Sequence, residues 1–414
     1  MTARFEGRDV VFREDLAFEF AYRPAPAAPL EVLTFRDPSP PPPHPSARRA
    51  PARTDPPGYF LARLMVDRPP AAGQPAPPRT LVALFDTSLS MQWDKLDRAF
   101  RALETTLLSL RPADRFNLLT FDDEVRPFSP APQPASREAV EQALAFVRAG
   151  RIRGGTDLEA AFAAALGQFA SAEGEAYLVL VGDGGATRGS IRNAALAERI
   201  AAARNALPAA RRPRVYVFGV GDDANLPLLR MLAENDGLFE HVRSTEPLDF
   251  KLRAFVERIG RRPVQGLTLE TEPGANFDLV YPLEPSVFSG SIAGWVGRYL
   301  QPAAQAVLRA AGQAETGPIR AEARVALPAD DREHPHVARQ WARARVDALL
   351  AKIERDGEDR ESIDEIVRLS KQFKFVTPYT SFLAAPRSLL RPRVIRPGDP
   401  VLRVFPAWPA EWDA

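Results

Sequence analysis

The chain of 414 residues contains no cysteine and only 4 histidines. The absence of cysteine excludes disulfide bonds, thiolate-bound zinc, iron–sulfur clusters and a thiol nucleophile. Every apolar run is far shorter than the ~18 residues that a membrane-spanning helix needs. The first residues mix both charges and show no signal peptide. We therefore expect no membrane span, and the compartment stays unknown, with the cytoplasm as the default expectation.

Positive and negative charges are nearly balanced: the chain has 54 basic and 53 acidic residues, and its formal net charge is +1. This balance lowers the expectation of a nucleic-acid partner. No Gly-Lys-Ser/Thr phosphate loop occurs, so we expect no nucleotide. His-Glu-x-x-His and Gly-x-Ser-x-Gly are also absent, and these absences weaken the case for an enzyme.

Strand-like and helical patterns alternate across residues 80–260. Apolar runs lie at residues 81–85, 116–121, 177–181 and 215–220, with a weaker one at 238–242, and amphipathic helices separate them. Apolar strands that lack polar alternation are typical of a parallel sheet covered on both faces. The sequence therefore predicts an α/β, doubly wound, mostly parallel sheet flanked by helices.

The flanking segments differ from this pattern and are rich in the chain's 41 prolines. Strands are expected at residues 15–22 and 59–66, with proline-rich stretches after each. Short strands with Pro and Gly turns, and then two helical stripes, follow residue 263. The predicted units are an N-terminal segment 1–79, the α/β domain 80–260, a small β-rich domain 261–330, a helical hairpin with a closing strand 331–386 and a Pro/Arg-rich tail 387–414.

Three predicted loops carry carboxylates and hydroxyls. Two of them follow predicted strands, and the third precedes a predicted helix. Asp86, Ser88 and Ser90 follow the first apolar run, Thr156 precedes a helix, and Asp183 follows the run at 177–181. Ligands of open α/β sheets bind at this edge. Hard oxygen donors of this kind suit Mg²⁺, with Mn²⁺ or Ca²⁺ as alternatives.

Each piece of this set also has an ordinary structural interpretation. Ser88 or Ser90 could cap the following helix, and Thr156 with the glutamate three residues later fits a capping box. Asp183 with the next glycine could form a plain turn. Asp157 could support the ligands from behind or stabilise a helix N-terminus. The conjunction of all three loops argues against chance and favours a functional site.

Together, Asp86-Thr87-Ser88-Leu89-Ser90, Gly155-Thr156 and Asp183-Gly184 resemble the metal-ion-dependent adhesion site of the von Willebrand factor type A fold. The resemblance covers about residues 80–260 and implies a Rossmann-like sheet. It further implies that Asp86, Ser88, Ser90, Thr156 and Asp183 hold Mg²⁺. An Asp or Glu carboxylate of a partner protein would then complete the metal shell.

The C-terminal stretches 341–345, 363–370 and 376–384 resemble bacterial relatives of the inter-alpha-trypsin inhibitor heavy chains. Members of that family place a β-rich VIT domain before the type A domain, and most of them are extracytoplasmic. Here the strands near residues 16–22 and 59–66 resemble the end of a VIT domain, most of which is missing.

The leading hypothesis is therefore a divalent-metal-dependent, adhesion-type protein-binding module that is not an enzyme. A metal-dependent hydrolase such as a phosphoesterase is the first alternative, although the motif supplies no general base apart from the ligands. A scaffold subunit with a purely structural metal is the second alternative.

Overall fold

The structure is a computed structural model that describes residues 30–39, 56–66 and 77–380, apart from residues 173, 234–236, 260, 272–275 and 316. The strand predicted at residues 15–22 and the tail predicted at 387–414 lie outside the described residues. In chain order the described strands are β1 Leu30–Phe35, β2 Gly58–Met65, β3 Arg79–Asp86, β4 Arg115–Phe121, β5 Val125–Pro127, β6 Gln133–Pro134, β7 Glu175–Gly182, β8 Arg214–Val220, β9 Leu238–Val242, β10 Gln265–Thr271, β11 Phe277–Pro282, β12 Ile292–Tyr299, β13 Ala303–Ala314 and β14 Gly317–Leu327. The described α-helices are α1 Asp94–Leu108, α2 Arg137–Ala149, α3 Leu158–Gly167, α4 Asn193–Asn205, α5 Leu226–Leu232, α6 Leu248–Arg258, α7 Pro335–Asp356 and α8 Arg360–Phe373.

The α/β segment is built on one sheet with the strand order β5-β4-β3-β7-β8-β9, and β6 pairs with β4. β4, β3, β7, β8 and β9 run parallel, whereas β5 and β6 pair antiparallel with β4. β3 lies in the middle and is buried along its whole length. The predicted doubly wound α/β fold is confirmed.

Helices cover both faces of this sheet, as its uninterrupted apolar strands require. On one face α1, α2 and α6 contribute core residues such as Leu103 and Phe255. On the other face α3, α4 and α5 contribute residues such as Phe162 and Leu229. Successive side chains of β3 alternate between the two cores, so this strand is held in place from both sides and fixes the position of the loop that follows it.

The strands before and after the α/β segment form a β-sandwich. One sheet has the order β1-β2-β12-β11 and the other has the order β10-β13-β14. β2 pairs antiparallel with β12 from Gly58 opposite Tyr299 to Met65 opposite Ile292, and the two sheets share one hydrophobic core. The sequence predicted β2, β10, β11 and β12 in two separate units, did not predict β1, β13 or β14 as individual strands, and did not predict the pairing. The domain boundaries themselves stay predictions.

α7 and α8 form the predicted helical pair and pack against the sheet that contains β2 and β12. Trp341 of α7 is buried with Leu61 and Val296, and its indole Nε1 donates a hydrogen bond to the Leu279 carbonyl at 3.0 Å. Gly357 allows the tight connection because its φ of 92° is costly for other residues. None of the helices in the described ranges is long and apolar enough to cross a membrane.

Candidate metal centre

The loop after β3 begins with a carboxylate that is fully removed from solvent. Asp86 is 0% exposed, and its Oδ1 accepts a hydrogen bond from the Ser88 backbone N–H at 2.9 Å. Its Oδ2 is buried without a hydrogen-bond partner. The Oγ atoms of Ser88 and Ser90 lie 2.9 Å apart. Asp86 thus presents an unsatisfied oxygen at the sheet edge, with two hydroxyls following it in the same loop.

The loop before α3 is attached to this first loop by backbone hydrogen bonds. Arg153 N–H donates to the Thr87 carbonyl at 3.0 Å, and Leu89 N–H donates to the Gly154 carbonyl at 3.3 Å. Thr156 follows Gly154 by two residues. These hydrogen bonds therefore hold Thr156 at the same edge of the sheet as the residues after β3.

Thr156 is also tied to the loop after β7, which Asp183 opens. Thr156 is buried, and its N–H donates to Thr187 Oγ1 at 2.7 Å. Its carbonyl accepts hydrogen bonds from the N–H groups of Thr187 and Arg188 at 3.0 and 3.1 Å. The structure therefore brings all three predicted loops together, with Thr156 between the other two.

Asp183 is almost as deeply buried as Asp86, with 3% exposure. Its Oδ1 accepts the Gly185 N–H at 3.0 Å. Its Oδ2 accepts a charged hydrogen bond from the ammonium of Lys95 at 3.0 Å. Gly184 turns the chain at this point with φ of 72°. Asp183 thus forms the turn that the ordinary interpretation predicted and still directs its second oxygen to a cation.

Asp86 and the end of β7 lie so close that position 182 has no room for a side chain. A Cβ atom at Gly182 would lie 2.7 Å from Asp86 Cβ and 3.0 Å from its Oδ2. Real Cβ atoms essentially never show a contact as short as the first of these. Glycine at this position therefore leaves the space that the Asp86 carboxylate occupies.

The electrostatics of the site disfavour the ionised form of Asp86. Burial raises the pKa of Asp86 to about 7 from its ordinary 3.8, and the charge of Asp183 raises it further, whereas hydrogen bonds from Ser88 and the charge of Lys95 lower it. An additional cation at this edge would reverse the penalty, because it favours the ionised carboxylate.

The helix-cap interpretations of the hydroxyl residues are wrong. The N-cap of α3 is Asp157, whose Oδ1 accepts the Ala160 N–H at 2.9 Å, so Thr156 is not the cap residue. Ser88 precedes a short 3-10 helix, Leu89–Met91, without a side-chain cap hydrogen bond. The N-cap residue of α1 is Trp93, which likewise makes no side-chain cap bond.

Two charged residues at the site were missed by sequence reasoning. Lys95 lies in the first turn of α1 and pairs with Asp223 Oδ1 at 2.5 Å as well as with Asp183. Asp223 follows β8, which is the neighbour of β7 in the sheet. The strand-end rule that selected Asp183 could also have selected Asp223 as a carboxylate at the same edge.

The donor set fits a hard divalent cation through two carboxylates and several neutral oxygens. No group of three or more His, Asp or Glu side chains suited to a metal occurs in the described part of the chain. A metal here would therefore depend on the hydroxyls of Ser88, Ser90 and Thr156 alongside Asp86 and Asp183. The partnerless Oδ2 of Asp86 is the observation that fits a cation ligand at this position.

Comparisons with known proteins agree with this fold. A family model described as the von Willebrand factor type A domain matches residues 79–237. Inter-alpha-trypsin inhibitor heavy chain H1 of Mesocricetus auratus is 24% identical over 73% of this chain and 35% of its own length. Heavy chain H4 of Homo sapiens is 25% identical over 79% of this chain and 36% of its own length. The chain thus spans about a third of the length of these relatives.

Two solved structures are also similar to this chain. A von Willebrand factor type A protein from Catenulispora acidiphila is 13% identical, with a TM-score of 0.42 over 76% of this chain and 82% of its own. The ArnB paralog VWA2 from Sulfolobus acidocaldarius is 15% identical, with a TM-score of 0.36 over 84% of this chain and 90% of its own. Residues 79–237 therefore match the von Willebrand factor type A domain model and carry the α/β sheet described above, in a chain whose sequence is similar to the inter-alpha-trypsin inhibitor heavy chains.

Proposed function

We propose that the chain is a protein-binding module whose site holds Mg²⁺, or Mn²⁺ or Ca²⁺ in its place, and takes an Asp or Glu carboxylate from a partner protein. The metal ligands in this proposal are Asp86, Ser88, Ser90, Thr156 and Asp183. The single observation that carries the proposal is the buried, partnerless Oδ2 of Asp86.

A buried carboxylate oxygen without a partner is expensive for a fold. Desolvating a polar group without a new hydrogen bond costs on the order of 2–7 kcal/mol, and a charged group costs more. Asp86 is nevertheless held rigidly, by the Ser88 N–H and by the close approach of Gly182. A bound divalent cation would remove this penalty, and that is the strongest reason to propose one here.

The composition of the donor set favours an open site over a closed one. Asp86 and Asp183 together balance the charge of one divalent ion, and the hydroxyls add oxygens without adding charge. Mg²⁺ prefers octahedral coordination and keeps water in positions that the protein leaves open. A metal ion in such a site still attracts one further carboxylate. The net charge of the chain is only +1, so it gives no reason to expect a nucleic acid as the partner instead.

We propose a binding role and not an enzymatic one, because two candidate general bases near the site are already engaged. His241 Nε2 lies 2.8 Å from the Gly221 carbonyl, and burial lowers the pKa of His241. Asp122, at the end of β4, is engaged by Arg126 at 2.8 Å and by Arg153 at 3.4 Å. A phosphoesterase would need one of these groups to be released.

Calorimetric titration of the metal-free protein with Mg²⁺ and Mn²⁺ tests the proposal. We expect the wild type to bind one ion and Asp86→Ala to bind none. Asp364→Ala is the matched control, because it removes a carboxylate that is 74% exposed on α8. Loss of binding in the control, or unchanged binding in Asp86→Ala, contradicts the proposal.

The partner's role is tested by a second titration, in the presence of a Glu-containing peptide or of the same peptide with Gln. We expect the Glu peptide to tighten metal binding and the Gln peptide to have no effect. A metal that binds equally well with either peptide favours the scaffold alternative, in which the metal is purely structural. Hydrolysis of a phosphoester by the wild type, lost in Asp86→Ala, favours the hydrolase.

A further inference from the structure

Lys95 gives this site a cation of its own. Its Nζ lies 3.0 Å from Asp183 Oδ2 and 2.5 Å from Asp223 Oδ1. The Lys95 side chain is only 13% exposed and that of Asp183 only 5%, whereas the Asp223 side chain is 72% exposed. The ammonium therefore joins a buried proposed metal ligand to a carboxylate on the surface.

The path of the Lys95 side chain depends on a glycine in the loop after β8. A Cβ atom at Gly221 would lie 2.6 Å from Lys95 Cε and 3.0 Å from its Cδ. Gly221 also has a φ of 103°, which other residues rarely adopt. The absence of a side chain at Gly221 thus leaves the space that the end of the Lys95 side chain occupies.

The Asp183 oxygen that Lys95 holds belongs to the same carboxylate that the proposed function assigns to the metal. An ammonium beside Asp183 offsets part of the repulsion between Asp183 and Asp86 in the metal-free protein. It also repels a second cation at this edge, since like charges a few ångströms apart still repel each other at an effective dielectric constant of ~20.

We propose that Lys95 is an internal counter-cation of the metal site, which stabilises the metal-free state through Asp183 and is held by Asp223 when Asp183 serves the metal. The inference rests on the proposed function and adds its regulation: the strength of the Lys95–Asp223 pair sets the affinity of the site for divalent ions. Lysine suits this role because its ammonium is a compact charge on a flexible stem, whereas arginine is a rigid planar fork.

Two substitutions should change metal affinity in opposite directions. Lys95→Met removes the competing cation, and we expect Mg²⁺ to bind on the order of tenfold tighter. Asp223→Asn removes the second partner of Lys95 and leaves the ammonium on Asp183, so we expect Mg²⁺ to bind several-fold more weakly. Lys371→Met is the control, because it removes an exposed lysine from the last turn of α8.

The double variant Lys95→Met, Asp223→Asn separates the mechanism from simple loss of negative charge. If Asp223 acts through Lys95, the double variant binds Mg²⁺ as tightly as Lys95→Met alone. If Asp223 acts directly on the metal, the double variant binds Mg²⁺ several-fold more weakly than Lys95→Met does. The second result overturns the assigned role of Asp223.

Thermal unfolding gives a readout that does not require the metal. We expect Lys95→Met to lower the Tm of the metal-free protein and to increase the rise in Tm on adding Mg²⁺. If the wild type binds Mg²⁺ and Lys95→Met binds it equally well or more weakly, the inference is overturned and the proposed function stands. Absence of binding by both the wild type and Lys95→Met overturns both.

Discussion

Replacing the buried carboxylate of Asp86 by an amide should stabilise the metal-free protein while abolishing metal binding. Burial raises the pKa of Asp86 from 3.8 to about 7. At ~1.4 kcal/mol per pKa unit, ionising this group at alkaline pH costs the fold about 4 kcal/mol. In Asp86→Asn the amide oxygen still accepts the Ser88 N–H, but an unpartnered N–H replaces Oδ2 and costs ~1–3 kcal/mol. We expect a net gain of about 2 kcal/mol in the free energy of unfolding.

The sign of the pH dependence follows from the raised pKa. Between about pH 4 and pH 7 the folded state keeps the proton on Asp86, whereas the unfolded state has lost it. The stability of the wild type therefore falls as pH rises through this window, by linkage. The advantage of Asp86→Asn should be smallest below pH 4, because both side chains are then neutral, and largest above pH 7.

Thermal unfolding in EDTA at about pH 4.5 and pH 8, wild type beside Asp86→Asn, measures this effect. A gain of about 2 kcal/mol corresponds to a Tm rise of roughly 4–8 °C for a domain of this size. Mg²⁺ at pH 8 should reverse the order, since only the wild type gains binding energy. The reasoning is refuted if Asp86→Asn is less stable than the wild type at pH 8, or if its advantage is the same at both pH values.

Three further substitutions test separate parts of the structure. Asp157→Ala should lower the free energy of unfolding by ~1 kcal/mol through loss of the α3 cap, with Mg²⁺ affinity in calorimetry unchanged; a large loss of affinity would instead support a role behind the ligands. Gly182→Ala should destabilise by about 2 kcal/mol in urea unfolding and weaken Mg²⁺ binding, because its Cβ meets Asp86; full retention of both would contradict the close approach. Arg79→Met should cost ~2 kcal/mol in the same assay, because it removes one charged hydrogen bond, 2.9 Å long, to the buried Asp114 carboxylate, which keeps Arg111 as its other partner; a loss below ~1 kcal/mol would count against this ion pair.

The α/β sheet could be predicted from the sequence because its strands are short, continuous apolar runs. Such a run indicates a strand that is buried on both faces. Each run, such as that of β3 or β7, is continuous and is separated from the next by a helical stripe. Sequential parallel strands with helical crossovers leave few topologies open. The strand-end rule then places Asp86 and Asp183 at one edge without any knowledge of side-chain contacts.

The hydrogen bonds and ion pairs of the site could not be predicted from the sequence. They depend on the direction in which each side chain points, and residue spacing does not determine that direction. The spacing of Thr156 and Glu159 fits a capping box, yet Glu159 accepts hydrogen bonds from Ser190 N–H and Arg199 instead. The neighbouring Asp157 provides the cap. Lys95 looked like an ordinary charge in a first helical turn, and only the position of α1 over β7 and β8 brings it to the site.

The β-sandwich was missed because its pairing spans the whole α/β domain. β2 and β12 each show a strand pattern, but a local pattern does not name a partner far along the chain. The two strands can meet because the α/β domain begins and ends at nearly the same point: the Arg79 guanidinium at the start of β3 donates to the Ile259 carbonyl just after α6, at 2.9 Å. A folded domain with adjacent ends acts as a short connection, so the entropy of closing β2 onto β12 is that of a short loop. Sequence reasoning would have needed this one contact to predict the sandwich, and the contact exists only once the α/β domain has folded.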